Sequence, residues 1–226
     1  MYQHKNLVQA LKAHGYQKAD LKNSRAVVRS CLNVPLREGK ITDDSRLKEA
    51  LPLIKELAKT AKRVVIIGHL GRPEGVDAGL SLKPVQKYFE GTLGEKVNLI
   101  EDPNDSIDSI AKDYIEDKRV FLLENVRFFD GERSKDLDEQ ADFAKQLAKF
   151  GDIYINDAFP DYRESSSTYY IAKEMPSYIG PSFANEVKAL SNFTSPKQPF
   201  IALFGGGKVE DKLKSIKGII DQTDKV

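Results

Sequence analysis

The apolar positions of this chain fall into short unbroken runs, separated by stretches where they recur every three or four residues. The clearest run is 64–67, VVII: four consecutive β-branched aliphatic residues, the pattern of a strand buried on both faces. Runs of the same kind stand at 26–31 (AVVRSC), 97–100 (VNLI), 120–123 (VFLL) and 153–155 (IYI). Between them the spacing is helical. The stretch 45–62 places Leu47, Ala50, Leu51, Ile54, Leu57 and Ala58 on one face, with Pro52 inside it expected to bend the helix. Further helices are predicted at 83–89, weakly at 104–114, and at 137–150, where Leu137, Ala141, Ala144 and Ala148 share a face. Residues 1–24 are polar and only weakly patterned.

Strands that alternate with helices imply crossover connections and a parallel sheet. The fold class predicted is therefore α/β: a Rossmann-like open parallel sheet with helices on both faces. After Pro176 the pattern changes. A helix is predicted over 183–193, then a break at TSPKQP with Pro196 and Pro199, a new strand over 200–204, a glycine-rich turn and a helix over 209–220. One strand and one helix cannot bury a core of their own. They read as the first strand–helix unit of a second α/β domain. The predicted division is 1–182 for the first domain, 183–197 for a connecting helix and hinge, and 198–226 for the start of the second.

Charge alters this picture little over the whole chain and much locally. Across 226 residues, 35 Lys and Arg nearly balance 34 Asp and Glu, which argues against a general nucleic-acid or membrane-surface binder. No apolar run approaches the roughly 20 residues that span a bilayer, and MYQHKNL has no signal pattern. The one cysteine, Cys31, cannot form an internal disulfide, in keeping with a reducing cytoplasm.

In an open parallel sheet, ligands bind in the crevice beyond the carboxyl ends of the strands. Asn33 follows the first predicted strand; His69, Leu70, Gly71 and Arg72 follow the second; Asn125 and Arg127 the fourth; Asn156, Asp157 and Arg163 the fifth. Arg46 joins them from the first turn of its helix, where a cation opposes the helix dipole unless an anion sits beside it. Cations converging on one sheet edge point to a compact anion carrying carboxylate or phosphate. A second cluster, GGGKVEDK, sets Gly205, Gly206 and Gly207 before Lys208 and Lys212 at a strand-to-helix turn, where backbone N–H groups can approach a phosphate. It is not a Walker A loop, since the Ser/Thr after the lysine is missing. One anion site on each of two domains suggests a bisubstrate phosphotransferase.

The motifs, taken in order, resemble the phosphoglycerate kinase family from about Ala26 onward: NVPL at 33–36, ITDDSR at 41–46, GHLGRP at 68–73, SLKPV at 81–85, LLENVRF at 122–128, DIYINDAF at 152–159, PSYIG at 176–180, NEVKAL at 185–190 and FIALFGGGKVEDK at 200–212. The resemblance implies a cytoplasmic, monomeric two-domain hinge enzyme of glycolysis, moving a phosphoryl group reversibly between 1,3-bisphosphoglycerate and ADP. It implies that the first domain binds 3-phosphoglycerate and the second Mg-ATP or Mg-ADP, with no metal held by the protein itself and no nucleic-acid or membrane partner. By position, Cys31, Asn33, Arg46, His69, Leu70, Gly71, Arg72, Arg127 and Arg163 would form the substrate site. Gly205–Gly207, Lys208 and Lys212 would hold the nucleotide phosphates, and Arg46 and Lys212 would lie nearest the chemistry.

Three departures qualify this. The family reads R-x-D-x-N-V-P where this chain has RSCLNVP, so Cys31 replaces an aspartate expected to hold the glycerate hydroxyl. After NDAF the family expects G-T-A-H-R-A-H-S, and PDYRESSST follows instead. With one deletion Arg163 takes the substrate arginine's place; without it Glu164 does. Most of a nucleotide domain is absent from these residues, so they are expected to be inactive alone. The alternative is a non-catalytic anion-binding or regulatory relative that keeps the substrate domain.

Overall fold

The computed structural model describes residues 14–102, 119–191, 199–203 and 216–217. Six strands form one sheet: β1 (Arg25–Arg29), β2 (Arg63–Ile67), β3 (Val97–Ile100), β4 (Val120–Leu123), β5 (Ile153–Asn156) and β6 (Ser177–Ile179). Their order is β3-β4-β2-β1-β5-β6, and every pairing is parallel. The α/β reading of the sequence holds.

The unbroken apolar runs have a direct cause. Alternate residues of each strand enter two separate cores. Ala26 and Val28 of β1 and Val64 and Ile66 of β2 pack on one side with Leu47, Ile54 and Leu57 of α1 (Ser45–Thr60) and Val85 and Phe89 of α2 (Lys83–Leu93). Val27, Val65 and Ile67 pack on the other with Phe143 and Leu147 of α3 (Leu137–Ala148) and with Ile171. A strand buried on both faces leaves no room for alternation.

Some predicted detail shifts. Helix α1 runs through Pro52, which is exposed, so the carbonyl that loses its intrahelical donor faces water. Leu53 is buried in α1, whereas Leu51 is half-buried. On α3 the buried face is Gln140, Phe143, Ala144 and Leu147, and Leu137 is 57% exposed. The two large side chains, not the alanines, select which stripe faces the sheet. Strand β6 has no counterpart in the predicted elements. It is three residues long, lies at the sheet edge and follows Pro176, so it carries no periodic signal. Gly15 bridges to Ile179 beside it and helps cover that edge. Helix α4 (Pro181–Ser191) follows directly. The helix predicted at 104–114, the Gly205–Lys212 turn and most of the final helix lie outside the described residues; of the strand predicted at 200–204, residues 200–203 are described, with a single bridge at Ile201.

Chain order reverses around β1. The path runs from β2 out to the edge strand β3 and back to β4 between them on one side, then crosses to β5 on the other. The crevice between the exits of β1 and β5 is therefore the switch point where ligands of open α/β sheets bind.

Candidate anion-binding site

The exit of β2 is shaped by glycine where nothing larger fits. A Cβ on Gly68 would sit 2.5 Å from the Leu32 side chain and 2.9 Å from the Ser30 carbonyl oxygen. Gly71 turns at φ +64°, a left-handed conformation, and a Cβ there would meet Leu80 at 2.7 Å. The loop is then braced from two other strand exits, those of β1 and β4. Asn33 Oδ1 accepts from the Gly71 N–H at 2.9 Å. The Gly71 carbonyl accepts from Arg127 Nη1. Asn125, fully buried, donates to the Leu70 and Leu80 carbonyls at 2.7 and 3.0 Å and accepts from the Leu70 N–H at 3.3 Å. Leu70 points its side chain into the core, so it serves the site through the course of its backbone.

Around this loop the predicted cations gather. Arg46, in the first turn of α1, donates through Nη1 to the Asn33 carbonyl at 2.8 Å. Arg127 is half-buried, and its guanidinium pKa is lowered by burial first and by neighbouring Arg163 second. Arg163 and Arg72 are exposed. Among the described residues, Arg46, Arg72, Arg127 and Arg163 have no carboxylate within ion-pairing distance. Of the predicted arginines, Arg72 stands apart: Arg46, Arg127 and Arg163 act electrostatically on His69, and Arg72 is not among the charges that do.

His69 lies at the floor. Arg29 Nη2 is 2.9 Å from its Nδ1, and a guanidinium can only donate, so Nδ1 is the acceptor and the ring proton sits on Nε2. Asp161 Oδ2 lies 3.4 Å from the same nitrogen, but that approach is not an ion pair because the ring is neutral. Burial, followed by the charges of Arg29, Arg127, Arg163 and Arg46, pushes the His69 pKa down to about 2. That ordering places four arginines within electrostatic reach of one imidazole.

Two residues at this floor are absent from the sequence-based set. Arg29 is 1% exposed and donates to the Ser30 carbonyl at 2.6 Å, to Ser167 Oγ at 3.2 Å and to Asp161 Oδ2 at 3.3 Å. A charge inside the apolar run AVVRSC was the available signal, since an arginine buried in a strand requires polar partners. Asp161 ends a 3-10 turn (Phe159–Asp161) after β5 and carried no such mark. Cys31 is 8% exposed. Its thiol pKa is pushed up to about 11, first by burial and then by the charge of the Asp161 carboxylate. At neutral pH it is an uncharged thiol.

Fold and site together define a class: a Rossmann-like α/β domain with a group of arginines at its carboxyl edge. The family model for phosphoglycerate kinase matches residues 16–226. The phosphoglycerate kinase of Leifsonia xyli subsp. xyli is 42% identical over 207 residues, covering 90% of this chain and 51% of that protein. That of Bifidobacterium longum is 41% identical over 210 residues, covering 92% and 52%. Among solved structures, the enzyme from Coxiella burnetii superposes with a TM-score of 0.78 at 33% identity over 93% of this chain and 52% of that one. The enzyme from Pyrococcus horikoshii OT3 superposes with 0.80 at 30% identity over 92% and 53%. This chain belongs to the phosphoglycerate kinase family, and it spans about half the length of the relatives it matches.

Proposed function

We propose that these residues form the phosphoglycerate-binding half of a phosphotransferase that moves a phosphoryl group reversibly between 1,3-bisphosphoglycerate and ADP. The observation that carries this reading is the group of arginines 46, 127 and 163 around neutral His69, with no carboxylate paired to them. Such a cleft offers mainly donors and positive charge, which suits a ligand with a phosphate and a carboxylate. Arg127 and Arg163 would hold the phosphate, with exposed Arg72 closing over it. Arg46 would face the acyl phosphate.

In the forward direction a phosphate oxygen of ADP forms the new P–O bond while the bond to the carboxylate breaks. The acceptor is already an anion, so no general base is needed, and the protein contributes positioning and charge neutralisation. The nucleotide would bring its own magnesium and meet Gly205–Gly207, Lys208 and Lys212, which lie outside the described residues. Glycolysis in the cytoplasm as a monomer is the setting this reading implies; among the described residues no helix is long and apolar enough to cross a membrane. The second reading, a non-catalytic anion-binding relative, is favoured by the uncharged thiol at position 31.

Calorimetric titration with 3-phosphoglycerate and, separately, with inorganic phosphate tests the choice. The kinase reading expects saturable 3-phosphoglycerate binding that weakens with salt and exceeds phosphate binding. Equal affinity for the two ligands would favour the second reading.

A further inference from the structure

The cleft is rich in donors and poor in acceptors. A guanidinium carries five N–H donors and no acceptor, and neutral His69 uses its one lone pair on Arg29. A substrate that bears a hydroxyl between two charged groups must place the hydroxyl proton on something. Two carboxylates act electrostatically on Arg127: Asp161 and Glu132. Glu132 is committed. Its oxygens accept from Ser165 Oγ at 3.2 Å, Ser167 Oγ at 2.8 Å and the Ser167 N–H at 2.9 Å. Asp161 is not. It accepts one bond, from Arg29 to Oδ2 at 3.3 Å, and lies within electrostatic reach of the Cys31 thiol. A carboxylate has about four acceptor sites, so capacity remains.

Asp161 is also held in place. Its turn leaves β5 at the switch point, and the rings on either side of it, Phe159 and Tyr162, pack edge-on against Phe183 with centroids 5.1 and 5.6 Å away. Its side chain keeps 7% of its surface and faces Cys31 at the exit of β1. An aspartate at position 31, the residue type the family resemblance implies, would set two carboxylates against each other there. One spot thus holds one carboxylate, delivered from the β5 side.

We propose that Asp161 is the residue that recognises the substrate hydroxyl, accepting its hydrogen bond and selecting a phosphorylated 2-hydroxy acid over simple anions; this rests on the reading of the cleft as a 3-phosphoglycerate site. Cys31 is its neutral neighbour, kept uncharged so that the carboxylate can occupy the spot.

The test compares 3-phosphoglycerate with 3-phosphooxypropionate, the same molecule without the hydroxyl, by calorimetry on the wild type and on Asp161→Asn. The wild type should prefer the hydroxylated ligand by about ten- to a hundredfold, the scale of a hydrogen bond to a charged group, and Asp161→Asn should shrink that ratio to within about threefold. Loosening of the cleft alone would weaken both ligands together and leave the ratio unchanged, so an unchanged ratio overturns the inference. Removing the partner of buried Arg29 could unfold the protein, so Cys31→Asp supplies an independent arm. With two carboxylates at one spot it should not tighten 3-phosphoglycerate binding, and a tenfold gain would overturn the inference. Wild type that binds neither ligand would overturn the 3-phosphoglycerate reading itself; wild type that binds both equally would overturn only the role of Asp161.

Discussion

His69 shows how a single residue's surroundings set its behaviour. Its imidazole is buried among arginines with its pKa near 2, against about 6.5 in an unfolded chain. Below pH 6.5 the unfolded state binds a proton that the folded state does not, so this group's contribution to stability falls as the pH drops from about 6.5 towards 2 and is constant above. We therefore expect anion binding between pH 6 and 8 to show no step from His69, and a proton NMR titration should find its ring neutral throughout that window. A ring that titrates near 6.5 would contradict the packing described. Arg72 is the opposite case: exposed and without a partner among the described residues. Arg72→Ala should leave the unfolding midpoint unchanged and weaken 3-phosphoglycerate binding by about 1.5–3 kcal/mol, the scale of a charged hydrogen bond. Equal binding by the variant would remove Arg72 from the site.

At the scale of elements, Asp157 ties the sheet to α4. Its carboxylate accepts from the Ser182 N–H at 2.7 Å, the Phe183 N–H at 3.2 Å and Ser182 Oγ at 3.1 Å, the bonds that satisfy a helix N-terminus. Burial outweighs these bonds and raises its pKa to about 6. Between about pH 3.8 and 6 the folded state binds more proton than the unfolded one, so this group's contribution to stability declines as the pH rises through that window. Asp157→Ala should cost about 1–2 kcal/mol in urea denaturation, as for other lost caps, with amide exchange quickening first in the opening turn of α4. Unchanged exchange there would show that α4 is held by its packing alone. The sequence made the apolar strands legible because burial on both faces writes a continuous run, and it made the cations at the strand exits legible because charge beside a glycine turn is rare in a core. It hid β6, too short to carry a period, and it misplaced the face of α3, where Phe143 and Leu147 outweigh the alanines. Arg29 was marked only by its charge inside an apolar run, and Asp161 escaped for a different reason: it matters through Arg29, 132 positions away, and no local pattern records such a pair.

Over the whole molecule, the proposed function makes the described residues one half of a reaction. On the proposed reading the cleft holds an anion, and the proposed division puts the nucleotide elements after residue 198. Leu203 is 97% exposed and Ile201 67% exposed. Phosphoryl transfer draws on binding energy from the remote adenosine to place the reacting phosphate, so on the proposed division, with only the opening of a nucleotide domain, these residues would lack the means to position ADP. Residues 1–226 purified alone should therefore bind 3-phosphoglycerate in calorimetry yet give no phosphorylation above background in a coupled assay with Mg-ATP. Joined to the remaining half of a relative's nucleotide domain, the same residues should turn over, and Arg46→Ala in that fusion should lower kcat far more than it raises KM, because Arg46 would meet the transferring group and not the resting substrate. ATP-dependent turnover by residues 1–226 alone would break this argument at its root, since it would place a complete nucleotide site within them.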